Sequence, residues 1–488
     1  MWLGGGLAPA ATVVLGTGSP AGTGVLLPVL LLIRSRQEGL AMTVGDRIFV
    51  LTARGAVTAG VRLLPLISEK VLVRFSRLKI AEVPWPEGQD FMERLLVFGK
   101  RALAESGEHC REKAATNFFY NYLVTGYVKR KAFRERYGFS PPYLLVVSPT
   151  MRCNLHCYGC YAGSYAKRDL DLDAVIRVLE EARAMGIYFI VISGGEPFVW
   201  RSIFDLFETA DDMYFQVYTN GSLIDEEVAG RLADLGNVLP CISVEGFEKE
   251  TDERRGDGAF RKIMRAMDLL RREGVIFGFS ATATRENNDF IVSDEFVDFY
   301  ENKGCFIGWY FNYVPVGRCP AMDLMPSPEQ RITRRRRLLK LRHERRMLLA
   351  DFWNDGPLTG GCIAGGRSYL HINSNGDIEP CVFTHFAIDN IANTSLRAAL
   401  ESDFFKAIRA RVPYSDNYLR PCLIIDHPHL LRELVTRFGA RPTHPGAELL
   451  LSDLKDDLDT YASEYGELAD AEWSMEQGDR HHLKASGE

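Results

Sequence analysis

Three cysteines fall within eight residues, Cys153-Asn154-Leu155-His156-Cys157-Tyr158-Gly159-Cys160. A C-x3-C-x2-C loop can bring three thiolates to three corners of one iron–sulfur cluster, whereas a [4Fe–4S] cluster ordinarily takes four cysteines. No fourth cysteine is close in sequence, so one iron would stay open to an outside ligand. A structural zinc site wants four closed ligands, often in C-x2-C pairs, and this spacing serves zinc poorly even with His156 recruited. Buried packing is the bland reading of any free cysteine, and it suits Cys110, Cys241 and Cys305, which sit in helical or strand patterns.

The loop follows an apolar run, Tyr143-Leu144-Leu145-Val146-Val147-Ser148, that reads as a buried strand. A second apolar run ends in Ser193-Gly194-Gly195-Glu196-Pro197. Glycines permit close backbone approach, and Glu196 adds a carboxylate. A three-cysteine loop after a strand, with Gly-Gly-Glu-Pro at the next strand, resembles the radical S-adenosylmethionine (radical SAM) superfamily. That resemblance implies an enzyme in which Cys153, Cys157 and Cys160 hold a catalytic [4Fe–4S] cluster whose open iron is chelated by SAM. Reductive cleavage of SAM there yields a 5′-deoxyadenosyl radical that abstracts hydrogen from a substrate. The resemblance also assigns Gly194, Gly195 and Glu196 to the SAM amino group, and Ser243 and Glu245 to its ribose and carboxylate. Thr282 or Thr284 is aimed at adenosine. Arg254-Arg255 is read as a surface charge run. The family's usual aromatic before the third cysteine is missing: Gly159 stands there, between Tyr158 and Cys160.

Downstream, Cys362 and Cys381 flank Tyr369-Leu370-His371-Ile372-Asn373-Ser374-Asn375-Gly376-Asp377-Ile378-Glu379-Pro380. The centre reads as a hairpin around Asn375-Gly376, which would draw the two cysteines together. The spacing Cys362-x13-Gly376-x4-Cys381 resembles the SPASM/twitch auxiliary-cluster domain. The resemblance implies one auxiliary [4Fe–4S] cluster held by Cys362, Cys381 and Cys422. Asp426, His427, Cys319 or the substrate is left to supply the fourth position.

The elements that must position these residues alternate. Apolar, β-rich runs over 144–148, 188–193, 215–219, 239–244, 275–282 and 306–314 are separated by helical patterns over 172–185, 203–210, 226–235, 260–272 and 295–302. Six such repeats predict an α/β fold of parallel βα units. The resemblance narrows this to a partial (β/α)6 TIM-like barrel, whose chemistry sits at the C-terminal ends of the strands. Around it the sequence divides into an apolar leader over 1–41, a helical N-terminal region over 42–140, the barrel over 141–320, and a basic, solvated connector helix over 321–355. A small cysteine-containing α+β domain over 356–430 and a helical, polar C-terminal tail over 431–488 complete the chain.

The chain has 488 residues, long enough for two or three domains. Its net charge of −6 offers no general attraction to nucleic acid or anionic membranes. Ten cysteines, clustered as they are, do not make a disulfide scaffold, and thiolate clusters imply a reducing, cytoplasmic setting. The first 33 residues carry no charge, but glycines interrupt them short of the ~20 apolar residues of a membrane span. A disordered leader is the first reading and a membrane anchor the second. A basic amphipathic helix pattern over 61–80 is read first as a solvated face over a core, with membrane contact as the alternative. The expected substrate is a peptide or protein, with a small molecule or lipid as the alternative, and a flavodoxin- or ferredoxin-like protein supplies electrons. A non-catalytic iron–sulfur electron carrier is the alternative of another class; it would have no need of Gly194-Gly195-Glu196-Pro197.

Overall fold

The computed structural model describes residues 86–486 continuously and, before them, residues 53–55, 60, 64, 67 and 68. The leader expected over 1–41 lies outside the described residues, as do all but three positions of the basic helix expected over 61–80.

Seven parallel strands form the body: β1 (Leu144–Val147), β2 (Phe189–Ile192), β3 (Tyr214–Thr219), β4 (Val238–Val244), β5 (Gly278–Ala283), β6 (Ile307–Asn312) and β7 (Leu348–Asp351). They lie side by side in sequence order. Apolar runs buried on both faces are what a helix-covered parallel sheet requires, and β1, β2 and β4 are buried almost throughout. The crossover helices are amphipathic. Leu172–Met185 buries Val175, Val178, Leu179, Ala182 and Met185, at helical spacing, and stops at Gly186 with φ +84°. β1 and β7 do not pair with each other, so the barrel stays open.

Six strands were expected and seven are present. The seventh is short and follows the arginine-rich segment, where its apolar run is masked. The helix Pro328–Glu344 that feeds it is also not the solvated connector expected from its charge. It begins at a Ser327/Gln330 capping box with Pro328 in the first turn, and it buries Arg331, Arg334, Arg335 and Arg342. Arg334 is held by Asp351, Asn288 and Asn312, and Arg335 by Glu476 and the Asn354 carbonyl. Buried charges survive only when paired in this way.

At the N-terminal ends of the strands, the helix Pro86–Glu105 and the π-helical segment Ala114–Thr125 close the barrel floor. Phe118 packs edge-on against Phe189 and Tyr214, the first residues of β2 and β3, with ring centroids 5.8 Å apart in both pairs. Asn117 Nδ2 donates to the Asp211 and Met213 carbonyls and fixes the segment to the loop before β3.

The C-terminal part joins the same sheet. β8 (His371–Ile372) pairs in parallel with β1, and the hairpin to β9 (Asp377–Glu379) turns at Asn375-Gly376, with Gly376 at φ +83°. A further strand, Asp389–Asn390, continues the edge beside β9. Ser148 Oγ lies 2.7 Å from His371 Nε2, and Tyr165 Oη donates to Glu379 Oε1 at 2.8 Å. The cysteine loop after β1 and the hairpin therefore share a buried polar seam. Among the described residues, no helix is long and apolar enough to cross a membrane.

Candidate active site and auxiliary thiolate site

The Cys153–Cys160 loop leaves the C-terminal end of β1, and its base is tied before the cysteines begin. Thr150 Oγ1 and Arg152 Nε both donate to Asp169 Oδ1, at 2.6 and 2.9 Å. The Gly-Gly-Glu-Pro turn after β2 lies directly on this base. Gly195 N donates to Thr150 O and Glu196 N to Arg152 O, at 3.0 and 2.9 Å. A Cβ on Gly194 would stand 2.3 Å from Thr150 O, and one on Gly195 would stand 2.2 Å from Arg152 O. The glycines are therefore needed for the approach of one loop to another, and the Gly195 and Glu196 amides are spent on the chain itself.

Glu196 is likewise engaged, with one lone pair of Oε2 left over. Its buried carboxylate accepts from Phe198 N at 3.1 Å, Thr219 Oγ1 at 2.8 Å and Asn220 N at 2.7 Å. Burial pushes its pKa up, against the three hydrogen bonds that favour the charged form. Asn220, which follows β3, passes this order to the cysteine loop. Its Nδ2 lies 2.9 Å from Asn154 Oδ1 and 3.9 Å from Cys153 Sγ, while Leu155 N reaches the same sulfur at 3.4 Å. Cys157 and Cys160 lie within electrostatic reach of Cys153, as does Glu196, although burial is what chiefly raises the Cys153 thiol. Three thiols on one loop, with amide donors turned toward Cys153, fit three corners of a cluster. Among the described residues no three His, Cys, Asp or Glu side chains converge on a single metal ion. A cluster needs no such convergence, since each thiolate binds its own iron.

Across the barrel mouth, Glu245 directly follows β4 and is almost fully buried. Arg254 and Arg255, expected on the surface, turn inward and pair with it. Arg254 Nη1 lies 2.7 Å from Oε2, and Arg255 Nε donates to Oε1 at 3.0 Å. Burial opposes the charge on Arg255, but Glu245 and Cys157 outweigh it and hold its pKa up. The helix Glu248–Arg255 that carries both arginines has almost no apolar face, so periodicity could not have found it. Ser243 Oγ faces Ser280 Oγ at 3.3 Å. Thr284 is engaged by Asn287, whose Nδ2 also donates to the Glu245 and Thr282 carbonyls.

Gly159 has a specific cause. It sits at φ +61°, and a Cβ there would lie 2.7 Å from Tyr313 Cε2. Tyr313, just past β6, occupies the space that a side chain at 159 would take. Tyr158 is exposed, with the Arg254 guanidinium 6.0 Å from its ring. Arg318 clasps the loop from outside, donating to Cys157 O and Cys160 O at 3.0 Å each.

The second thiol set also comes together. Cys362, Cys381 and Cys422 all lie within electrostatic reach of the Tyr369 and Tyr414 hydroxyls. Burial pushes the Cys362 thiol up to about 12. Of the fourth-ligand candidates, Asp426 is bound to Arg331 Nη1 at 2.7 Å and to Cys422 N at 2.9 Å. His427 Nε2 faces the Arg420 carbonyl at 3.0 Å. Cys319 is exposed on the loop after β6, next to the residue that clasps the Cys153–Cys160 loop. The donor set left at the second site is thus three thiols and two phenols.

Residues 147–291 match the Radical SAM superfamily, and residues 362–423 match SPASM, an iron–sulfur cluster-binding domain. The mycofactocin maturase MftC of Mycobacterium tuberculosis is 30% identical over 287 residues, 55% of this chain and 72% of the relative. The AdoMet-dependent heme synthase of Methanosarcina barkeri is 25% identical over 299 residues, 55% of this chain and 85% of the relative. Among solved structures, Streptococcus suis SuiB bound to the precursor peptide SuiA superposes with a TM-score of 0.50 at 19% identity, covering 65% of this chain and 84% of that one. At that identity the likeness is one of fold.

Proposed function

Because this chain belongs to the radical SAM superfamily, as an enzyme with a SPASM iron–sulfur domain, we propose that Cys153, Cys157 and Cys160 hold its catalytic [4Fe–4S] cluster and that a peptide or protein is its substrate. When bound, the cluster and SAM supply reductive cleavage to methionine and a 5′-deoxyadenosyl radical, which takes a hydrogen atom from the substrate. The protein's own part is to bind, orient and exclude water around that chemistry. The observation that carries the assignment is the stitching of the thiol loop to Gly195 and Glu196 by paired backbone hydrogen bonds.

Within this reading Glu196 is a positioning residue. It orders Thr219 and Asn220, which in turn stand behind Cys153. Gly194 and Gly195 let that contact form. Glu245, braced by Arg254 and Arg255, and Ser243 form the opposite wall of the SAM site. Cys362, Cys381 and Cys422 hold the auxiliary cluster. The peptide half of the reading leans on the maturase likeness, which is higher in identity than the heme synthase likeness. The latter keeps a small molecule as the second reading. The deciding experiment is anaerobic reconstitution with dithionite and SAM. The expected product is 5′-deoxyadenosine, and a fully loaded protein that makes none would instead be an electron carrier.

A Gly195→Ala substitution is expected to fail at the catalytic loop alone. Its Cβ would press on Arg152 O at 2.2 Å, and a displacement of ~1 Å at a reacting centre can cost ~100-fold. The rate of 5′-deoxyadenosine formation should fall by about that factor, while the EPR signal of the auxiliary cluster persists. Unchanged turnover would mean that the loop contact does not govern the site.

A further inference from the structure

We propose that Tyr369 and Tyr414 donate hydrogen bonds to the thiolates of Cys381 and Cys362, and that these two contacts raise the reduction potential of the auxiliary cluster. The inference rests on the assignment of that cluster to Cys362, Cys381 and Cys422. The Tyr369 hydroxyl lies 2.8 Å from Cys381 Sγ, deep in the core, just before β8. The Tyr414 hydroxyl belongs to the chain leading to Cys422. It is shielded from solvent and faces Cys362, yet by geometry it completes no hydrogen bond.

A buried hydroxyl left without an acceptor is costly. A thiol is a weak acceptor, whereas a thiolate carrying iron bears charge and accepts strongly. Tyr414 is therefore in place for a partner that the loaded site provides. The other polar groups nearby are already used, Asp426 by Arg331 and His427 by a backbone carbonyl. Backbone amides complete the set, with Phe383 N on Cys381 and Ile424 N on Cys422, each at 3.4 Å. Hydrogen bonds to cluster sulfurs are among the determinants of cluster potential. The sign follows from charge: reduction adds an electron to the cluster, and a donor stabilises the more negative state. Removing a donor should make the cluster harder to reduce.

The test uses the full chain, reconstituted anaerobically, with iron and sulfide counted and both clusters titrated by EPR-monitored potentiometry. Tyr369→Phe and Tyr414→Phe should each move the auxiliary midpoint to more negative potential, with the larger shift for Tyr369, whose contact is already formed. The catalytic cluster should not move. Site-specific replacement of either tyrosine by 3-fluorotyrosine, a stronger donor of nearly the same size, should move the midpoint in the opposite direction. It also keeps the test available should a phenylalanine variant lose iron. Two clusters present with an unmoved auxiliary midpoint in all variants would overturn the proposal and leave the ligand assignment standing. A wild-type protein that binds only the catalytic cluster would instead overturn the assignment, and the proposal with it.

Discussion

Serine in place of any one of Cys153, Cys157 or Cys160 is expected to reduce SAM cleavage to the level of a protein-free blank. The three thiols come from one loop whose base is clamped by Asp169 and by the Gly195 and Glu196 amides, so the loop has no slack with which to recruit a substitute. The nearest alternative, His156, is exposed. Second-sphere changes at a metal centre already cost about 10- to 100-fold, and loss of a ligand itself should exceed ~100-fold. The assay is 5′-deoxyadenosine release together with iron content. About half the iron should remain, the share of a separate auxiliary [4Fe–4S] cluster. His156→Ala is the companion variant and should leave both readouts unchanged. If His156→Ala abolished metal binding, a zinc-like set of three cysteines and a histidine would replace the cluster.

Asp426→Ala should be the most damaging single change away from the catalytic loop. Arg331 and Asp426 are both fully buried, with Nη1 2.7 Å from Oδ1, and the Arg331 guanidinium lies over the Tyr465 ring at 3.5 Å. Removing the carboxylate strands a buried cation, which costs ~3–5 kcal/mol. It also frees Cys422 N, which Asp426 holds at 2.9 Å, so auxiliary iron should be lost along with stability. Arg331→Met separates an ion-pair role for Asp426 from an iron-ligand role. As half of an ion pair, Arg331 should cost nearly as much when removed, and the double variant should cost less than the sum of the two singles. Were Asp426 an iron ligand, Arg331→Met would leave stability largely intact. Denaturant midpoints of the four proteins, read beside their iron content, decide between these roles.

The βα alternation and the site of each motif at a strand end were legible because apolar runs and turn residues are local signals. The hairpin at Asn375-Gly376 was legible for the same reason. What escaped is long-range. Charge density marked the helix Pro328–Glu344 as solvated, since arginine is rarely buried unless paired, yet the partner of Arg331 lies 95 residues away. Arg254 and Arg255 were misplaced in the same way, because nothing in their own helix announces Glu245. The glycine at position 159 reads as a missing aromatic in the sequence, because the Tyr313 ring that requires it comes from a loop more than 150 residues away. Glu196 was recognised by its motif, but a motif gives a position and not the three donors that occupy the carboxylate.

Pulsed EPR on the dithionite-reduced full chain, with SAM carrying a ¹⁵N label at its amino group, examines the open iron itself. A resolved ¹⁵N coupling to the catalytic cluster is expected, lost in Cys157→Ser and kept in Cys422→Ser. A reduced catalytic cluster that shows no coupling at saturating SAM would contradict SAM binding at that iron.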